Sequence, residues 1–165
     1  MLYRDYPEQN CSIARSLEVI GERWSLLIIR DVFSGIRRYE DLHRSLGIAR
    51  NILQTRLNWL VEEGVLERRP YAGSRSEYFL TKKGLDLWPA LMTMQAWGDR
   101  YYGQDGVPRV FKHKGCGGRM DAVLRCRKCG DTLNPKTIYM EWGPGADSEM
   151  RQIREALEAE RMRVA

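Results

Sequence analysis

The sequence lacks any long hydrophobic run. No stretch of about 18 consecutive apolar residues occurs in it, and the first residues (MLYRDYP) form no apolar signal segment. We therefore expect no membrane partner and a cytoplasmic location. Apolar residues make up 43% and charged residues 30% of the 165 residues, which is the composition of a globular protein with one ordinary core and a small satellite.

Residue patterns of common enzymes are also missing. The sequence has only two histidines, and it offers no glycine-rich phosphate loop, no Ser/His/Asp set and no pair of catalytic carboxylates. We therefore expect that the protein is not an enzyme.

Cysteine is scarce, yet three of the four cysteines lie in one short stretch. There the sequence reads H-x2-C, nine further residues, and then C-x2-C. The four residues of this pattern are His113, Cys116, Cys126 and Cys129. A glycine follows the cysteine that ends each half (Gly117 and Gly130), and glycine allows the tight turn that two ligands three residues apart require.

This spacing predicts a zinc-ribbon-like module over residues 108–136, with one structural zinc ion as cofactor. Three thiolates and an imidazole would form a closed tetrahedral set without an open position for water. In the competing interpretation His113 is a bystander and the cysteines bind no metal. A thiol-disulfide enzyme using Cys126 and Cys129 is disfavoured, because this C-x2-C does not open a helix after a strand and already has a matching H-x2-C partner.

The net charge of +5 is concentrated in the same module. Residues 109–136 contain eight Lys and Arg against two Asp, whereas residues 1–103 contain 15 basic and 13 acidic residues. A basic module of this kind either contacts phosphate or forms a solvated rim around a metal core.

Three helical segments precede the module. Apolar residues at steps of three and four predict a helix over residues 12–31, and a second helix is predicted over residues 37–46, stopped by Gly47. A third runs from about Arg50 to Gly64. The short turn at residues 47–49 makes the last two a helix-turn-helix unit.

Two extended runs follow the third helix, at residues 65–69 and 77–80. The turn-rich residues 70–76 between them predict a β-hairpin, placed as a wing straight after the helix-turn-helix unit. The sequence therefore predicts a mainly α-helical winged helix-turn-helix fold.

A long helix is predicted over residues 82–102, capped by Thr81, with Pro89 one turn inside it. It is apolar almost all round, so we expect a homodimer that buries this helix and the N-terminal helix. The first domain then spans residues 1–103, and a linker (103–108) leads into the ribbon. A charged C-terminal helix is predicted over residues 147–165.

Six motifs of this region form a combined pattern. They are CSIARSLEVIGERWSLLIIRD (11–31), RYEDL (38–42), IARNILQTRL (48–57), GVL (64–66), YFLTKKG (78–84) and WG (97–98). Together they resemble the HxlR-type winged helix-turn-helix regulators, which are distantly similar to MarR proteins. The resemblance covers about residues 8–103. It implies a dimeric bacterial transcription regulator that binds double-stranded DNA. The ribbon segment goes beyond this minimal domain.

The residues themselves supply a set of DNA-contact candidates. Arginine, asparagine and glutamine make bidentate contacts to guanine and adenine, so groups on the first two turns of the third helix are the candidates for reading bases. These four are Arg50, Asn51, Gln54 and Thr55. Arg37 and Arg38 are candidates for holding phosphate, and Arg75 at the wing tip for the minor groove or backbone. Arg56 is expected to point elsewhere, as a brace or a salt bridge to Glu62 and Glu63.

Cys11 lies outside the metal pattern, just before the first helix. Unpaired amides at a helix N-terminus favour a thiolate, and Arg15 adds positive charge one turn on. Some regulators of the resembled family use a cysteine here to sense quinones or disulfide stress, which makes Cys11 a candidate redox sensor. The alternative is an inert, half-buried cap residue.

Two functions are compatible with these sequence features. The first is a sequence-specific DNA-binding regulator of transcription with a structural zinc ribbon. The second makes the basic ribbon an RNA- or protein-binding module that uses the winged helix as a scaffold.

Overall fold

The computed structural model describes residues 6–7, 9–73, 75–102, 107, 109–119, 123–139, 141–145, 148, 151–152 and 155. Its backbone divides into two compact units. One contains residues 20–133, and the other contains residues 1–19 together with residues 134–165. Most of the predicted linker (103–108) and of the predicted C-terminal helix (147–165) lies outside the described residues.

The helices and strands occur in the order of a winged helix-turn-helix domain. They are α1 (Ser12–Ile20), α2 (Ser25–Phe33), α3 (Tyr39–Leu46), α4 (Arg50–Glu62), β1 (Leu66–Ala72), β2 (Arg75–Leu80), α5 (Lys82–Leu85) and α6 (Trp88–Tyr102). The predicted fold of helices with a two-stranded antiparallel wing is confirmed. No helix among the described residues has the length and hydrophobicity needed to span a membrane.

The helix predicted over residues 12–31 is wrong as a single element. It is interrupted between Ile20 and Ser25, where the Ser25 amide bonds back to the carbonyl of Glu22 at 2.9 Å. Gly21 opens the interruption, and a glycine inside a helix costs about 1 kcal/mol relative to alanine. Helices α1 and α2 both carry apolar residues at helical steps. The apolar periodicity used for the prediction therefore does not mark the break between them.

The core of the winged domain is formed by helices α2, α3 and α4 and the base of the wing. Helix α4 directs Leu53, Leu57 and Leu60 inward at steps of four and three, and all three are fully buried. Each such leucine stabilises the fold by about 1.5–3 kcal/mol. This packing fixes the opposite face of α4, with Asn51 and Gln54, toward solvent.

Two glycines end the helices of the helix-turn-helix unit. Gly47 follows α3 with a φ of 63°, and its amide donates to the carbonyl of His43 at 2.9 Å. Gly64 follows α4 with a φ of 64°. Non-glycine residues rarely adopt this left-handed conformation, so the predicted stops at these two positions are confirmed.

The wing is longer than predicted. Strands β1 and β2 pair from Leu66 with Leu80 as far as Ala72 with Arg75, and the register is irregular between Pro70 and Ala72. Pro70 lies inside β1, whereas the sequence pattern predicts it in the loop. A two-stranded hairpin has a free edge on each strand, where a residue without an amide hydrogen is tolerated.

The helix predicted over residues 82–102 is also two helices. The Thr81 cap is confirmed, since its hydroxyl accepts from the Gly84 amide at 3.2 Å, but α5 ends at Leu85. Pro89 has no amide hydrogen for the carbonyl of Leu85, and its ring would collide with that carbonyl in a continuous helix. Proline therefore separates α5 from α6.

Much of the apolar surface of α6 is exposed. Met94, Trp97, Tyr101 and Tyr102 are between 53% and 72% exposed, and the Trp97 ring contacts both tyrosines. On α1, Ile13 and Leu17 are exposed as well. These two helices are the ones for which the sequence predicts a dimer interface.

Candidate nucleic-acid interface

The N-terminal half of α4 faces the wing across a polar cleft of about 620 Å³. We call it the α4–wing cleft. It brings together three of the predicted DNA-contact residues, Arg38, Gln54 and Arg75. The remaining lining comes from α3 and the two strands, namely Tyr39, Glu40, Asp41, Arg68, Tyr71, Ser76 and Tyr78. Cations from three different parts of the fold therefore line one recess.

The side chain of Gln54 is oriented by a hydrogen-bond network. Its amide nitrogen donates to Oδ1 of Asn58 at 2.9 Å, and the same oxygen accepts from Arg68 Nη2 at 2.7 Å. Arg68 also lies over the ring of Tyr78, 5.7 Å from its centre. The Gln54 carbonyl oxygen is thus directed away from this contact, and a residue on the wing helps to position a residue on α4.

Sequence reasoning missed Arg68 and Asn58. Asn58 lies one helical turn beyond Gln54, so the i, i+4 spacing was a usable signal. The role of Arg68 was harder to predict, because its position opposite Tyr78 depends on the register of the hairpin.

Arg50 at the start of α4 is held by α3. Its Nη1 and Nη2 atoms donate to the two carboxylate oxygens of Glu40 at 2.7 and 3.0 Å. These hydrogen bonds lower the pKa of Glu40 and raise that of Arg50. Tyr39 adds a hydrogen bond from its hydroxyl to the Arg50 carbonyl at 2.9 Å. The bidentate pair fixes the guanidinium at the end of the helix nearest to the turn.

The two other predicted residues on this face differ in what they offer. The Thr55 hydroxyl donates to the carbonyl of Asn51 at 2.8 Å, so its hydrogen is engaged within the helix. The side chain of Asn51 is exposed. Arg56 points elsewhere as predicted, but its Nη2 pairs with Glu22 at 2.9 Å rather than with Glu62 or Glu63.

Arg37 and Arg38 lie against the wing. The Tyr78 amide of β2 donates to the Arg37 carbonyl at 2.9 Å, and the Arg37 guanidinium lies 4.4 Å from the centre of the Phe79 ring. Arg38 donates from Nε to Glu77 at 3.0 Å, which raises its pKa, and stacks on Tyr71 at 4.7 Å. Both cations are thus held beside the hairpin.

Arg75 opens β2 at the tip of the wing. Its side chain is exposed, and it forms no ion pair with any residue that the structure describes. A cation in this position can approach a phosphate without first giving up a protein carboxylate.

The H-x2-C half of the predicted metal pattern forms a tight turn. The His113 amide donates to the Gly118 carbonyl and the Gly117 amide to the His113 carbonyl, both at 2.8 Å. Gly117 has a φ of 70°. Within this turn His113 Nδ1 lies 3.4 Å from Cys116 Sγ.

The C-x2-C half repeats this geometry. The Cys126 amide donates to the Asp131 carbonyl and the Gly130 amide to the Cys126 carbonyl, both at 2.9 Å, and Gly130 has a φ of 80°. Backbone amides of Cys129 and Lys128 bond to the Cys126 sulfur and lower the pKa of its thiol. Both halves therefore form similar tight turns, which we call knuckles, and each holds two of the four predicted ligands.

The two knuckles do not meet at one site. Across the residues that the structure describes, no three His, Cys, Asp or Glu side chains lie together as a group able to hold a metal ion. The ligand pairs suit zinc in donor type and turn geometry, but the four-ligand set predicted from the spacing is not assembled. Zinc binding therefore stays a prediction.

Cys11 caps the first helix with its sulfur. The backbone amides of Ala14 and Ile13 bond to the thiol and lower its pKa. The charge of Arg15, in contrast, is engaged by Glu18 at 2.7 Å. The predicted effect of the helix amides is present, and the predicted contribution of Arg15 is offset by its carboxylate partner.

Comparison with known proteins agrees with this geometry. The family model described as HxlR-like helix-turn-helix matches residues 19–106. An uncharacterized HTH-type transcriptional regulator of Mycobacterium tuberculosis is 42% identical over 142 residues, which are 84% of this chain and 90% of that protein. An aligned region of that length includes residues 108–136, so the relative shares a counterpart of the ribbon segment.

Solved structures give the same result. A protein described as a putative transcription factor has a TM-score of 0.75 at 36% identity, covering 81% of this chain and 96% of its own. Another, from Pseudomonas aeruginosa, has a TM-score of 0.61 at 42% identity, covering 87% and 99%. The redox regulator HypR in its oxidized form has a TM-score of 0.51 at 28% identity, covering 55% and 96%.

The fold and the α4–wing cleft define a winged helix-turn-helix protein. With a family match over more than half of its length, the chain belongs to the HxlR-like helix-turn-helix family. It is an HTH-type transcriptional regulator and not an enzyme.

Proposed function

We propose that this regulator is a homodimer that binds double-stranded DNA in a sequence-specific manner, with α4 in the major groove and the wing beside it. The α4–wing cleft carries the proposal, because it places Arg38, Gln54, Arg68 and Arg75 around one recess. Side chains with amide and guanidinium groups read base edges, and additional cations fix the register on phosphates.

The residues divide into two roles. Asn51 and Gln54 lie on the exposed face of α4 and supply amide groups suited to adenine, while Arg50 at the helix start supplies a guanidinium suited to guanine. Thr55 lies further along the same face. Arg37, Arg38 and Arg75 flank this face from the wing side, and their role is to hold phosphates.

Exposed apolar side chains support the dimer. Soluble monomers rarely leave several large aromatic side chains of one helix in water. Trp97, Tyr101 and Tyr102 on α6 form such a group, and α1 exposes two aliphatic side chains, Ile13 and Leu17. A two-fold dimer of this type presents two reading helices to half-sites about one DNA turn apart.

Selection of duplexes from a random library by the purified full-length protein tests this function. We expect an enriched inverted repeat, bound with strong salt dependence, and a dimer in sedimentation velocity. Arg125→Gln with Arg127→Gln removes two cations of the ribbon and serves as the comparison for α4 variants. If the ribbon variant abolishes binding and α4 variants do not, the ribbon is the nucleic-acid surface.

We further propose that His113, Cys116, Cys126 and Cys129 hold one structural zinc ion when the two knuckles close on it. Their donor types and the two glycine turns support this. In small metal modules, metal binding and the closing of the site are one step, because the ligands do not attract one another without the ion. The ion would supply tetrahedral cross-linking of the ribbon and no reaction chemistry.

Regulation by oxidation of Cys11 is the third part of the proposal. Its thiol accepts two helix amides, which favour the thiolate, the form that reacts with oxidants. A related protein of known structure is described as a redox regulator. Oxidation at the start of α1 would alter the proposed dimer and thereby the spacing of the reading helices.

A further inference from the structure

A second cavity, separate from the α4–wing cleft, is lined by residues of α6 and by several described residues between positions 107 and 124. Its volume is about 520 Å³, within the range of small-molecule sites. We call it the α6 cavity. Met92, Val110, Val123 and Leu124 contribute apolar walls. At one end Trp88 packs edge-on against Phe111 with ring centres 5.0 Å apart, so the cavity offers aromatic as well as aliphatic contacts.

Charged groups at the α6 cavity favour an anion. Among the described residues, Arg109 and Arg119 line it against one carboxylate, Asp99. Asp99 accepts a long hydrogen bond from Gln95 Nε2 at 3.4 Å, and the same amide donates to the Arg109 carbonyl at 3.0 Å. Gln95 thus anchors the backbone of Arg109 to α6. Two guanidinium groups beside apolar walls suit a carboxylate on an aromatic ring.

The guanidinium of Arg109 also reaches α2, which packs against the helix-turn-helix unit. Its Nη1 lies 3.4 Å from Oδ1 of Asp31, a fully buried carboxylate on α2. Asp31 accepts a hydrogen bond from Ser45 Oγ at 2.7 Å through its other oxygen. Ser45 lies in the last turn of α3, two residues before Gly47. Contacts therefore run from the cavity through Arg109 and Asp31 to the turn that precedes α4.

We propose that the α6 cavity binds a small aromatic carboxylate. Its carboxylate group forms an ion pair with Arg109, which then no longer pairs with Asp31. The exchange is feasible because Arg109 is partly exposed, with 45% of its side chain accessible, and because its bond to Asp31 is long. After the exchange, Asp31 keeps its ion pair with Arg30, whose Nη2 lies 2.8 Å from Oδ1, and its hydrogen bond from Ser45. The buried carboxylate is therefore not left unpaired, which keeps the cost of the switch low.

Binding of the carboxylate stands on the cavity alone, whereas an effect on DNA rests on the proposed function. When Arg109 pairs with the ligand, Asp31 loses one of its three partners among the described residues, and we expect this change to reach the α3–α4 turn through the hydrogen bond between Asp31 and Ser45. The ligand is therefore expected to alter DNA affinity by about fivefold or more.

Calorimetric titration of the full-length protein with naphthoate tests the site directly. We expect saturable binding of one molecule per chain. Naphthalenemethanol, a neutral analogue of similar shape, should bind about tenfold more weakly or worse, because it cannot form the charge-assisted pair. Arg109→Gln should weaken naphthoate by a similar factor and leave naphthalenemethanol unchanged.

Two further variants complete the experiment. Ala96→Trp fills the α6 cavity without changing charge and should abolish binding of both compounds. Arg127→Gln removes an arginine that does not line the cavity and should change neither. Equal affinity for the charged and neutral compounds, or equal losses in the Arg109 and Arg127 variants, would overturn the inference. So would the absence of saturable naphthoate binding. DNA binding without naphthoate reports separately on the proposed function.

Discussion

Glu40 on α3 holds the guanidinium of Arg50, the first residue of α4, by two hydrogen bonds of 2.7 and 3.0 Å. Each residue shifts the pKa of the other in the direction that favours the ion pair. Glu40 lines the α4–wing cleft. Under the proposed function, Arg50 has to exchange this ion pair for a base contact, so Glu40 would compete with DNA for Arg50.

Glu40→Gln should strengthen specific DNA binding a few-fold, because it weakens this competition and removes a negative charge beside the phosphates. Arg50→Ala should weaken it about tenfold to a hundredfold, as loss of a bidentate base contact does. Fluorescence anisotropy with the selected duplex measures both. Glu62→Gln, the same charge change at the far end of α4, is the control. Equal effects of Glu40→Gln and Glu62→Gln would show that Arg50 is not released onto DNA.

Alanine substitutions of Gln54 and of Arg75 should affect DNA binding in different ways. Gln54→Ala should cost about 1–3 kcal/mol on the selected site and relax the preference at one base pair. Arg75→Ala should weaken binding of all sequences alike and reduce the salt slope by about one. Titrations at several salt concentrations with matched and mismatched duplexes separate the two. An unchanged base preference for Gln54→Ala would remove this residue from the reading set.

The elements of the winged domain could be predicted from sequence wherever a local signal decides the structure. Gly47 and Gly64 end helices because of their backbone freedom, and the leucines of α4 repeat at core-facing steps. The breaks at Gly21 and Pro89 had local signals too, but the apolar pattern runs across both. There a periodicity shared by two consecutive helices concealed the break.

The site was less predictable than the fold, because its contacts join residues far apart in sequence. The type and position of Gln54 on a helix face indicated a reading role, yet its link to Arg68 through Asn58 depends on where the wing folds back. Nothing in the sequence indicated that Asp31 is a buried carboxylate with three partners among the residues that the structure describes. Only the folded chain brings it together with Arg30, Ser45 and Arg109.

Packing, and not backbone conformation, requires a glycine at position 84 in α5. A Cβ atom at this buried position would overlap the carbonyl oxygen of Val65 and the side chain of Leu80. Gly84→Ala should therefore destabilise the protein by about 1–3 kcal/mol. Gly98→Ala in α6 is the matched control, because a Cβ there meets nothing within 4 Å; it should stabilise by up to about 1 kcal/mol through helix propensity. Urea unfolding midpoints compare them, and equal shifts would contradict the packing argument.

Zinc should bind in a ratio of one ion per chain. Native mass spectrometry of protein purified without chelator should show the mass of one zinc, and Cys116→Ser or Cys126→Ser should each lose it. A chelator should then lower the unfolding temperature of the native protein but not that of either variant. A metal-free mass for freshly purified native protein would refute the zinc proposal and leave two independent knuckles.

Cys11 should react as a thiolate at lower pH than an ordinary cysteine. Because the amides of Ala14 and Ile13 lower its pKa in the folded protein, thiolate remains as the pH falls below the usual value of about 8.5 and is lost only below the folded pKa. The pH midpoint of iodoacetamide labelling at Cys11, followed by peptide mass spectrometry, should therefore lie below that of the urea-unfolded protein. Coincident midpoints would contradict the effect of the helix amides.

The same thiolate should make DNA binding sensitive to oxidant. Graded diamide should change the affinity of the native protein for the selected duplex and leave Cys11→Ser unaffected, since serine keeps a capping oxygen without the redox chemistry. Cys11 is a free thiol, and the other three cysteines all belong to the predicted metal set, so oxidation should join two subunits or add a small thiol. Non-reducing electrophoresis and intact mass distinguish these two products. An identical response of Cys11→Ser and native protein would assign the oxidant effect to the ribbon cysteines and leave Cys11 as a helix cap.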